Sequence, residues 1–307
     1  MSQAQPLIKI PKANPIRLYL DGAELPFAAS LPKWMAQVKY SQIFSRFDEL
    51  AFQIFCENDV TWDMSNIITV NVLDINDKIV LTYSATQLNG GSALNGYYIY
   101  EVREQLTGLS AGTYQIEVHI KNETQLIPPT PTLINEYYLY SEPIEVKDIF
   151  PDSITIDYVH EDNSNDIICV DPNDSSIHQF RHRIYGGFLP SDYQPASKDY
   201  VYRDQIYDLT QLKSIPFETS KLTFGKIGIP NWQANILSRI FTFSSVYINS
   251  SLYVKNDGAK MEKTNPDKIY PLNGWKIELI RPTNELSTTY GGGDFNNDFS
   301  EDFFITL

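Results

Sequence analysis

The sequence predicts an all-β, mostly antiparallel fold with two β-rich parts and one short helix. Aromatic residues make up 13% of the 307 residues, whereas charged residues make up only 20%. Aromatic and β-branched side chains pack well on a pleated surface, so this composition favours strands. Short alternating apolar runs, bounded by Asn, Asp, Gly or Ser, recur along the chain. Such runs are typical of antiparallel sheets that bury one face of each strand.

The length of the chain indicates two domains. A chain of 307 residues is long for one domain and sufficient for two that each bury a core. We expect an N-terminal arm plus a β-sandwich over residues 1–148 and a second β-rich domain over 149–290. A C-terminal segment, residues 291–307, follows as an arm or a last strand.

The strand signals of the first part are regular. In ELAFQIFCEN, the residues Phe52, Ile54 and Cys56 alternate with Gln53 and Phe55. Similar runs are NIITVNVLD, KIVLTY, GYYIYEV, TYQIEVHI and SEPIEVKD. Upstream, IRLYLDG also alternates, and it is either a first hairpin or part of the N-terminal arm.

The run LSAGTYQIEV, residues 109–118, gives the first part its most specific signal. Gly112 permits a tight bend, after which Tyr114, Ile116 and Val118 point to one side. The pattern resembles the corner before the penultimate strand of immunoglobulin-like and fibronectin type III domains, where a tyrosine bonds back to the backbone. We therefore expect an immunoglobulin-like β-sandwich, the alternative being another antiparallel β fold with a glycine turn.

A proline-rich stretch precedes the last strand of this part. Residues 121–138 contain Pro128, Pro129 and Pro131, which stiffen an extended chain. The stretch is longer than a hairpin turn, and loops of this length in compact domains are usually functional or disordered. We expect the three prolines to lie at a contact with a neighbouring subunit.

The second part is predicted to be a different β domain. SITIDYVHED and DIICVD read as a hairpin, QFRHRIY as a further strand, and GWKIELIRP as a late strand. VYINSSLYVKNDGAKMEK reads as two strands that turn at residues 249–251. The helix is expected near 230–241, where Trp232, Ile236 and Ile240 share one face with Leu237 and Phe241.

Composition and charge argue against several classes of partner. The formal net charge is −14 and no patch concentrates Lys and Arg, so we expect no direct binding of nucleic acid. No run approaches the roughly 18 apolar residues of a membrane span. The N-terminus lacks the pattern of a signal peptide, which predicts synthesis in the cytoplasm without export. Cys56 and Cys169 have no paired motif and are expected to be buried free thiols.

Motifs for catalysis or metal binding are incomplete in this chain. Residues 294–298 match the opening of a calcium loop, but Phe299 and Ile305 occupy the positions that require Gly and Glu. His178 and His182 are four residues apart on a predicted strand and are expected to be solvated or to face a partner. Nucleophile and phosphate-binding motifs are missing. The sequence therefore predicts a protein without catalytic residues, cofactor or metal.

The C-terminal segment GGGDFNNDFSEDFFITL repeats an Asp-Phe pair every four residues. In an extended chain, one face carries the phenylalanines and the other the aspartates. Such a segment suits pairing with the sheet edge of a neighbour, although it is also compatible with a last strand of its own domain. The predicted interface residues are Phe295, Phe299, Phe303, Asp294, Asp298 and Asp302.

The order of motifs in the second part resembles a known family. FETSKLTFGKIGIPNW, a helix, and VYINSSLYVKNDGAKMEK are similar to structural proteins of tailed phages and prophages of Bacteroidetes. The resemblance extends to DELAFQIFCEN in an N-terminal immunoglobulin-like domain and to endings such as DFNNDFSEDF. It implies a non-enzymatic virion protein that forms a tail, collar or baseplate ring as a homo-oligomer with other virion proteins.

Two other functions are compatible with the sequence. An immunoglobulin-like adhesin or carbohydrate-binding module for a host surface would expose aromatic clusters such as Tyr97-Tyr98-Tyr100 or Tyr137-Tyr138-Tyr140 in one groove. A glycan hydrolase would need two carboxylates that face one cleft.

Overall fold

The computed structural model describes residues 8–20, 40–57, 64–88, 91–124, 133–159, 179–189, 193–203, 209–264 and 271–281. Within these ranges, the chain forms nineteen strands and one α-helix. All strand pairings are antiparallel except one, between strands at residues 42–45 and 144–147. The all-β, mostly antiparallel fold with a short helix is therefore confirmed.

The first part contains eleven strands in two sheets. These are β1 Ile8–Lys9, β2 Leu18–Leu20, β3 Gln42–Ser45, β4 Glu49–Glu57, β5 Met64–Leu73, β6 Ile79–Ser84, β7 Thr86–Gln87, β8 Tyr97–Gln105, β9 Gly112–Thr124, β10 Leu133–Ser141 and β11 Ile144–Lys147. One sheet has the order β1-β4-β8-β7. In the other, β9 pairs with β5, β10 and β11, while β6 pairs with β5, β2 with β10 and β3 with β11.

The two sheets bury a shared core. Phe52 and Ile54 of β4 are fully buried and pack with Val70 of β5, Val118 of β9 and Val146 of β11. The alternation predicted for ELAFQIFCEN is confirmed for this face. Cys56 lies in the same cluster as a buried free thiol, and burial raises its pKa to about 12. Cys169 lies outside the described residues.

Two features of β9 bear on the sequence predictions. The Tyr114 hydroxyl donates to the Ser110 carbonyl oxygen at 2.9 Å, which is the backbone contact predicted for the corner. The proline-rich stretch, in contrast, is shorter than predicted, because β9 continues to Thr124 and pairs with β10 from Leu133 onward. The chain therefore forms a long hairpin, and Pro128, Pro129 and Pro131 lie outside the described residues.

The second part forms a closed barrel. Its elements are β12 Ser153–Val159, β13 Phe180–Phe188, β14 Gln194–Arg203, β15 Leu209–Pro230, α1 Asn231–Ile240, β16 Ser245–Ile248, β17 Ser251–Lys255, β18 Glu262–Lys263 and β19 Leu272–Arg281. Each strand pairs with the next in the order β13-β12-β16-β17-β19-β15, and β15 also pairs with β13. The six strands therefore close on themselves, which leaves no free edge between them. The predicted hairpin partner, DIICVD, lies outside the described residues.

The closure between β13 and β15 depends on a glycine. Gly186 pairs with Phe224, and its amide donates to the Asp152 carbonyl oxygen at 2.9 Å. A Cβ atom on Gly186 would lie 2.6 Å from the Thr223 carbonyl oxygen and 2.7 Å from the Phe224 Cα. The two backbones therefore approach too closely at this point for any larger residue.

Helix α1 lies where the sequence predicts it, and all five residues of its predicted face belong to the barrel core or pack against it. Ala234, Leu237 and Ile240 are buried in the barrel core together with Gln233, while Trp232 and Ile236 are only partly buried against it. The helix begins directly after Pro230, whose missing N–H removes no helical bond at this position. The predicted turn between β16 and β17 is also present, at Asn249 and Ser250.

The N-terminal residues contribute to both cores. Ile16 and Leu18 pack in the core of the first part, whereas Ala13 packs in the barrel core. The Tyr158 hydroxyl of β12 donates to the Ala13 carbonyl oxygen at 2.6 Å. This segment therefore lies between the two parts and joins their cores.

Candidate subunit interface

Strands β14 and β15 extend beyond the barrel as a two-stranded ribbon. β14 pairs with β15 from Gln194–Thr219 to Arg203–Leu209. β19 reaches β15 only as far as Glu218, opposite Arg281. Among the described residues, positions 209–217 therefore pair only with β14. We call residues 196–203 and 209–217 the arm.

Both faces of the arm are exposed. Every residue of β14 except Ala196 is exposed, as are residues 210–216 of β15. A two-stranded hairpin that buries neither face is only marginally stable in water. The arm therefore leaves side chains exposed to solvent on both of its faces.

The apolar side chains of the arm are large and exposed to solvent. Val201 is 58% exposed, Tyr202 56% and Leu212 66%, and Tyr200 and Ile215 are also exposed. Leu212 occupies a bulge, because Tyr200 pairs with Lys213 whereas Val201 pairs with Gln211. Five exposed large apolar side chains in one ribbon exceed the scattered single residues that are normal on a protein surface.

The register of the arm assigns its side chains to two chemically different faces. Lys198, Tyr200 and Tyr202 share one face because they are alternate residues of β14. Ile215 and Lys213 lie on the same face because they pair with Lys198 and Tyr200. We call it the lysine–tyrosine face. The opposite face carries Asp199, which accepts hydrogen bonds from the Ser197 and Ser214 hydroxyls.

The arm is not predicted from the sequence. The run DYVYR has high β propensity. Its apolar residues follow one another without alternating polar residues, and neither face of the arm packs against a core. A binary pattern reports which face of an element is buried, so it does not detect an element with both faces exposed. The signal that was available is the dense cluster of Tyr and Val between charged residues.

The other predicted interface residues are not placed by the structure. Phe295, Phe299, Phe303, Asp294, Asp298 and Asp302 lie outside the described residues, as does His178. The part of the chain that the structure describes brings no three His, Cys, Asp or Glu side chains together in an arrangement that could hold a metal ion. No helix in the described ranges is long and apolar enough to span a membrane.

His182 lies in a different environment from the one predicted. It was expected to be solvated or to face a partner, but it is 1% exposed and lies on the inward face of β13 with Phe180 and Ile184. Gln233 Nε2 lies 2.9 Å from His182 Nε2. An amide nitrogen has only hydrogens to donate, so this contact requires an unprotonated Nε2. Burial lowers the pKa of His182 to about 4, and the imidazole is neutral at pH 7.

A polar cleft with a volume of about 340 Å³ lies on the barrel surface, among the residues that the structure describes. Its lining includes Glu262 and Glu278, so two carboxylates do face one cleft. Each has a partner, since Lys276 Nζ lies 3.4 Å from Glu262 and Asn256 donates to Glu278. The cleft is open and polar, unlike the largely apolar concave pockets that usually bind small molecules.

The two tyrosine runs do not form one aromatic groove. Tyr100 is buried and Tyr98 packs against the same core, whereas Tyr97 lies on the other side of β8 near Phe55. In the second run, Tyr137 packs on the core while Tyr138 stacks on His119 with ring centres 4.5 Å apart. Each run is therefore divided between two faces of its strand, as the alternation of a strand requires.

Comparison with known proteins gives no relative. No protein-family model matches the chain, and no curated protein or solved structure is significantly similar to it.

Proposed function

We propose that this protein is a non-enzymatic structural subunit of a phage virion, which assembles with its own copies and with other virion proteins into a ring of a tail, collar or baseplate. The arm carries this proposal, because it is a two-stranded ribbon with exposed apolar side chains on both faces. The resemblance of the second part to structural proteins of Bacteroidetes phages supplies the virion context.

The geometry of the arm favours a head-to-tail contact. The arm extends beyond the β15–β19 pairing, so it can contact a different surface of the next subunit. Contacts between a projecting element and a different surface of the next subunit generate rings when the rotation closes. A ring of identical subunits is therefore the assembly that this shape supports.

The joint between the two parts supports the same proposal. Ala13 and Tyr40 pack in the barrel core, and the Asn14 side chain exchanges two hydrogen bonds with the backbone of Gln53 at 2.8 and 3.0 Å. A subunit of a ring needs a fixed angle between its contact surfaces, which a joint with shared packing provides.

We also propose that the first part is an immunoglobulin-like domain. In that fold, one sheet holds strands A, B, E and D, and the other holds C, F and G. The orders β1-β4-β8-β7 and β11-β9-β5-β6 fit this arrangement, and Tyr114 occupies the position of the corner tyrosine. Such domains are common scaffolds for contact surfaces, so the assignment suits a structural role.

The assembly is tested by measuring the mass of the full chain in solution by light scattering across a concentration series. The test variant replaces Tyr200, Tyr202 and Leu212 of the arm by Ser. A matched control replaces three exposed apolar residues elsewhere, Phe47, Ile75 and Ile149, by Ser. We expect a defined oligomer for the wild type and the control, and a shift toward monomer for the arm variant.

A monomer at every concentration, for wild type and both variants, would remove self-assembly from the proposal. The virion context is tested separately by mass spectrometry of purified phage particles that carry this gene. Its presence in stoichiometric amount relative to a known tail protein is the expected result.

A further inference from the structure

We infer that strand β14 of the arm pairs with β14 of a second copy of the chain, antiparallel and in a register centred on Val201. The stretch DYVYR, residues 199–203, forms the contact. The inference goes beyond the proposed function, because it concerns the edge of the arm instead of its faces. It adds a two-fold contact to the head-to-tail contact of a ring.

The outer edge of β14 has no strand partner among the described residues. β14 lies at the end of its sheet and pairs only with β15. The bulge at Leu212 belongs to β15, so β14 itself is regular from Asp199 to Arg203. Pro195, which has no N–H to donate, lies outside this stretch. A regular exposed edge is a template for pairing with another chain.

The stretch DYVYR is complementary to itself when it pairs antiparallel about its centre. With Val201 opposite its own copy, Asp199 of each chain lies opposite Arg203 of the other. Tyr200 of each chain then lies opposite Tyr202 of the other. Opposite charges and aromatic pairs directly across two strands both stabilise a sheet. Arg203 forms no ion pair with another described residue, so its charge is available to the second copy.

Charge selects this register over its neighbours. A contact between two identical edges is two-fold symmetric, so one residue must lie opposite its own copy. A register centred on Asp199 would place two carboxylates opposite each other, which is destabilising. A register centred on Tyr200 would place each Asp199 opposite Val201 and leave its charge without a direct partner.

Pairing also gives the two arms a shared aromatic face. The pair forms a four-stranded sheet in the order β15-β14-β14-β15, whereas each arm alone is a two-stranded ribbon. The two-fold axis is perpendicular to this sheet, so the lysine–tyrosine faces of both copies lie on the same side. Tyr200 and Tyr202, which are 44% and 56% exposed in the single chain, then become cross-strand neighbours. Because the strands run in opposite directions, the two barrels lie at opposite ends of the sheet.

The register is tested in the full chain by a disulfide at its centre. Val201→Cys places two thiols on directly paired residues, whose Cα atoms are about 4.5–5.5 Å apart, a separation that a disulfide spans. The matched control is Ser197→Cys, on the same face of β14, whose two copies would be about 26 Å apart in this register. After mild oxidation, non-reducing gel electrophoresis should show at least about tenfold more covalent dimer for Val201→Cys than for the control or the wild type.

The charge pairing is tested by reversal and by mixing. Asp199→Arg and Arg203→Asp each place like charges opposite one another, so each variant should associate at least about tenfold more weakly than the wild type. An equimolar mixture of the two variants should recover association, because every charge then meets its opposite. Asp257→Arg and Lys12→Asp make the same changes in net charge at exposed positions outside the arm and should resemble the wild type. Sedimentation velocity measures association, and circular dichroism checks folding.

The mixture also controls for the hydrogen bonds that Asp199 accepts within its own arm, since an arm weakened by their loss would not be rescued by the second variant. An oligomer of wild-type size in which Val201→Cys forms no more covalent dimer than Ser197→Cys would overturn the inference and leave the proposed function intact. A covalent dimer with rescue in the mixture, but no larger assembly, would support the inference and contradict the ring. A chain that stays monomeric in every measurement would overturn both.

Discussion

Arg183 of β13 forms a two-point ion pair with Asp48, which lies in the turn between β3 and β4. The Arg183 Nε and Nη2 atoms donate to the two carboxylate oxygens at 2.6 and 2.7 Å. Asp48 is 2% exposed and also accepts from the Ser45 amide at 2.8 Å. Arg103 of β8 adds a second contact, donating to the Gln179 carbonyl oxygen at 3.1 Å. Charged side chains therefore connect the barrel to the first part, in addition to the apolar packing between them.

The Asp48–Arg183 pair is expected to contribute strongly to stability. Breaking a buried pair leaves an uncompensated charge, so Asp48→Asn should lower the free energy of unfolding by about 3 kcal/mol. The change is measured by urea unfolding, together with Arg183→Met and the double variant. The double variant should lose less than the sum of the two single changes.

A surface pair provides the comparison for this measurement. Arg46 Nε lies 2.8 Å from Asp148, but both side chains are largely exposed. The equivalent change, Asp148→Asn, should cost less than about 1 kcal/mol, because exposed pairs are weak. Equal losses at Asp48 and Asp148 would show that the junction pair contributes no more to stability than an exposed pair.

Gly186 is expected to be essential for closure of the barrel, whereas its neighbour is not. Gly186→Ala places a methyl group against the backbone of Thr223 and Phe224 and should destabilise the protein by about 1–3 kcal/mol. A Cβ atom on Gly187 meets no atom within 4 Å, so Gly187→Ala is a matched control. Thermal unfolding distinguishes the two, and equal melting temperatures would contradict the described approach of β13 and β15.

The buried His182 predicts a loss of stability in mild acid. Its pKa is about 4 in the folded protein, against 6.5 as the ordinary value. Between these values the unfolded chain binds a proton and the folded protein does not. Lowering the pH therefore favours unfolding, and the loss begins near pH 6.5 and is complete near pH 4. The expected size is about 3 kcal/mol, since each unit corresponds to about 1.4 kcal/mol.

The variant His182→Gln isolates this effect from the titration of carboxylates. Urea unfolding at pH 7 and at pH 4.5 gives the pH dependence of each protein. The wild type should lose more stability between these values than the variant, because only the wild type carries the buried imidazole. Parallel pH profiles would show that His182 is protonated or accessible in the folded state.

The turn between β16 and β17 offers a stabilising substitution. Asn249 and Ser250 have φ angles of 47° and 68°, which glycine adopts more readily than serine. Ser250→Gly should raise the free energy of unfolding by about 1 kcal/mol. Asn249 is best retained, because its side chain accepts from the Thr155 amide at 3.0 Å. Ser251→Gly, inside β17, should destabilise the protein, and calorimetry of both variants checks the difference.

Local patterns in the sequence predicted much of the fold. Strand β4 was predicted because Phe52 and Ile54 alternate with residues on the other face, and α1 because apolar residues recur at helical spacing. The hydroxyl contact of Tyr114 was predicted because it depends on a corner only four residues long. In each case, the determining contacts lie within one element or between neighbours in the chain.

Other features were decided by tertiary structure, because they depend on residues far apart in the chain. The barrel closes where β15 meets both β13 and β19, and His182 is buried inside it, in contact with Gln233 of α1. Arg183 and Asp48 are separated by 135 positions, so no local pattern indicates their pairing. The arm could not be predicted for a different reason. Its side chains are exposed on both faces, so its sequence has no alternation of apolar and polar residues. The sequence by itself therefore determined the all-β class and the positions of many elements, while the packing of distant strands decided the closure of the barrel, the junction and which strand faces stay exposed.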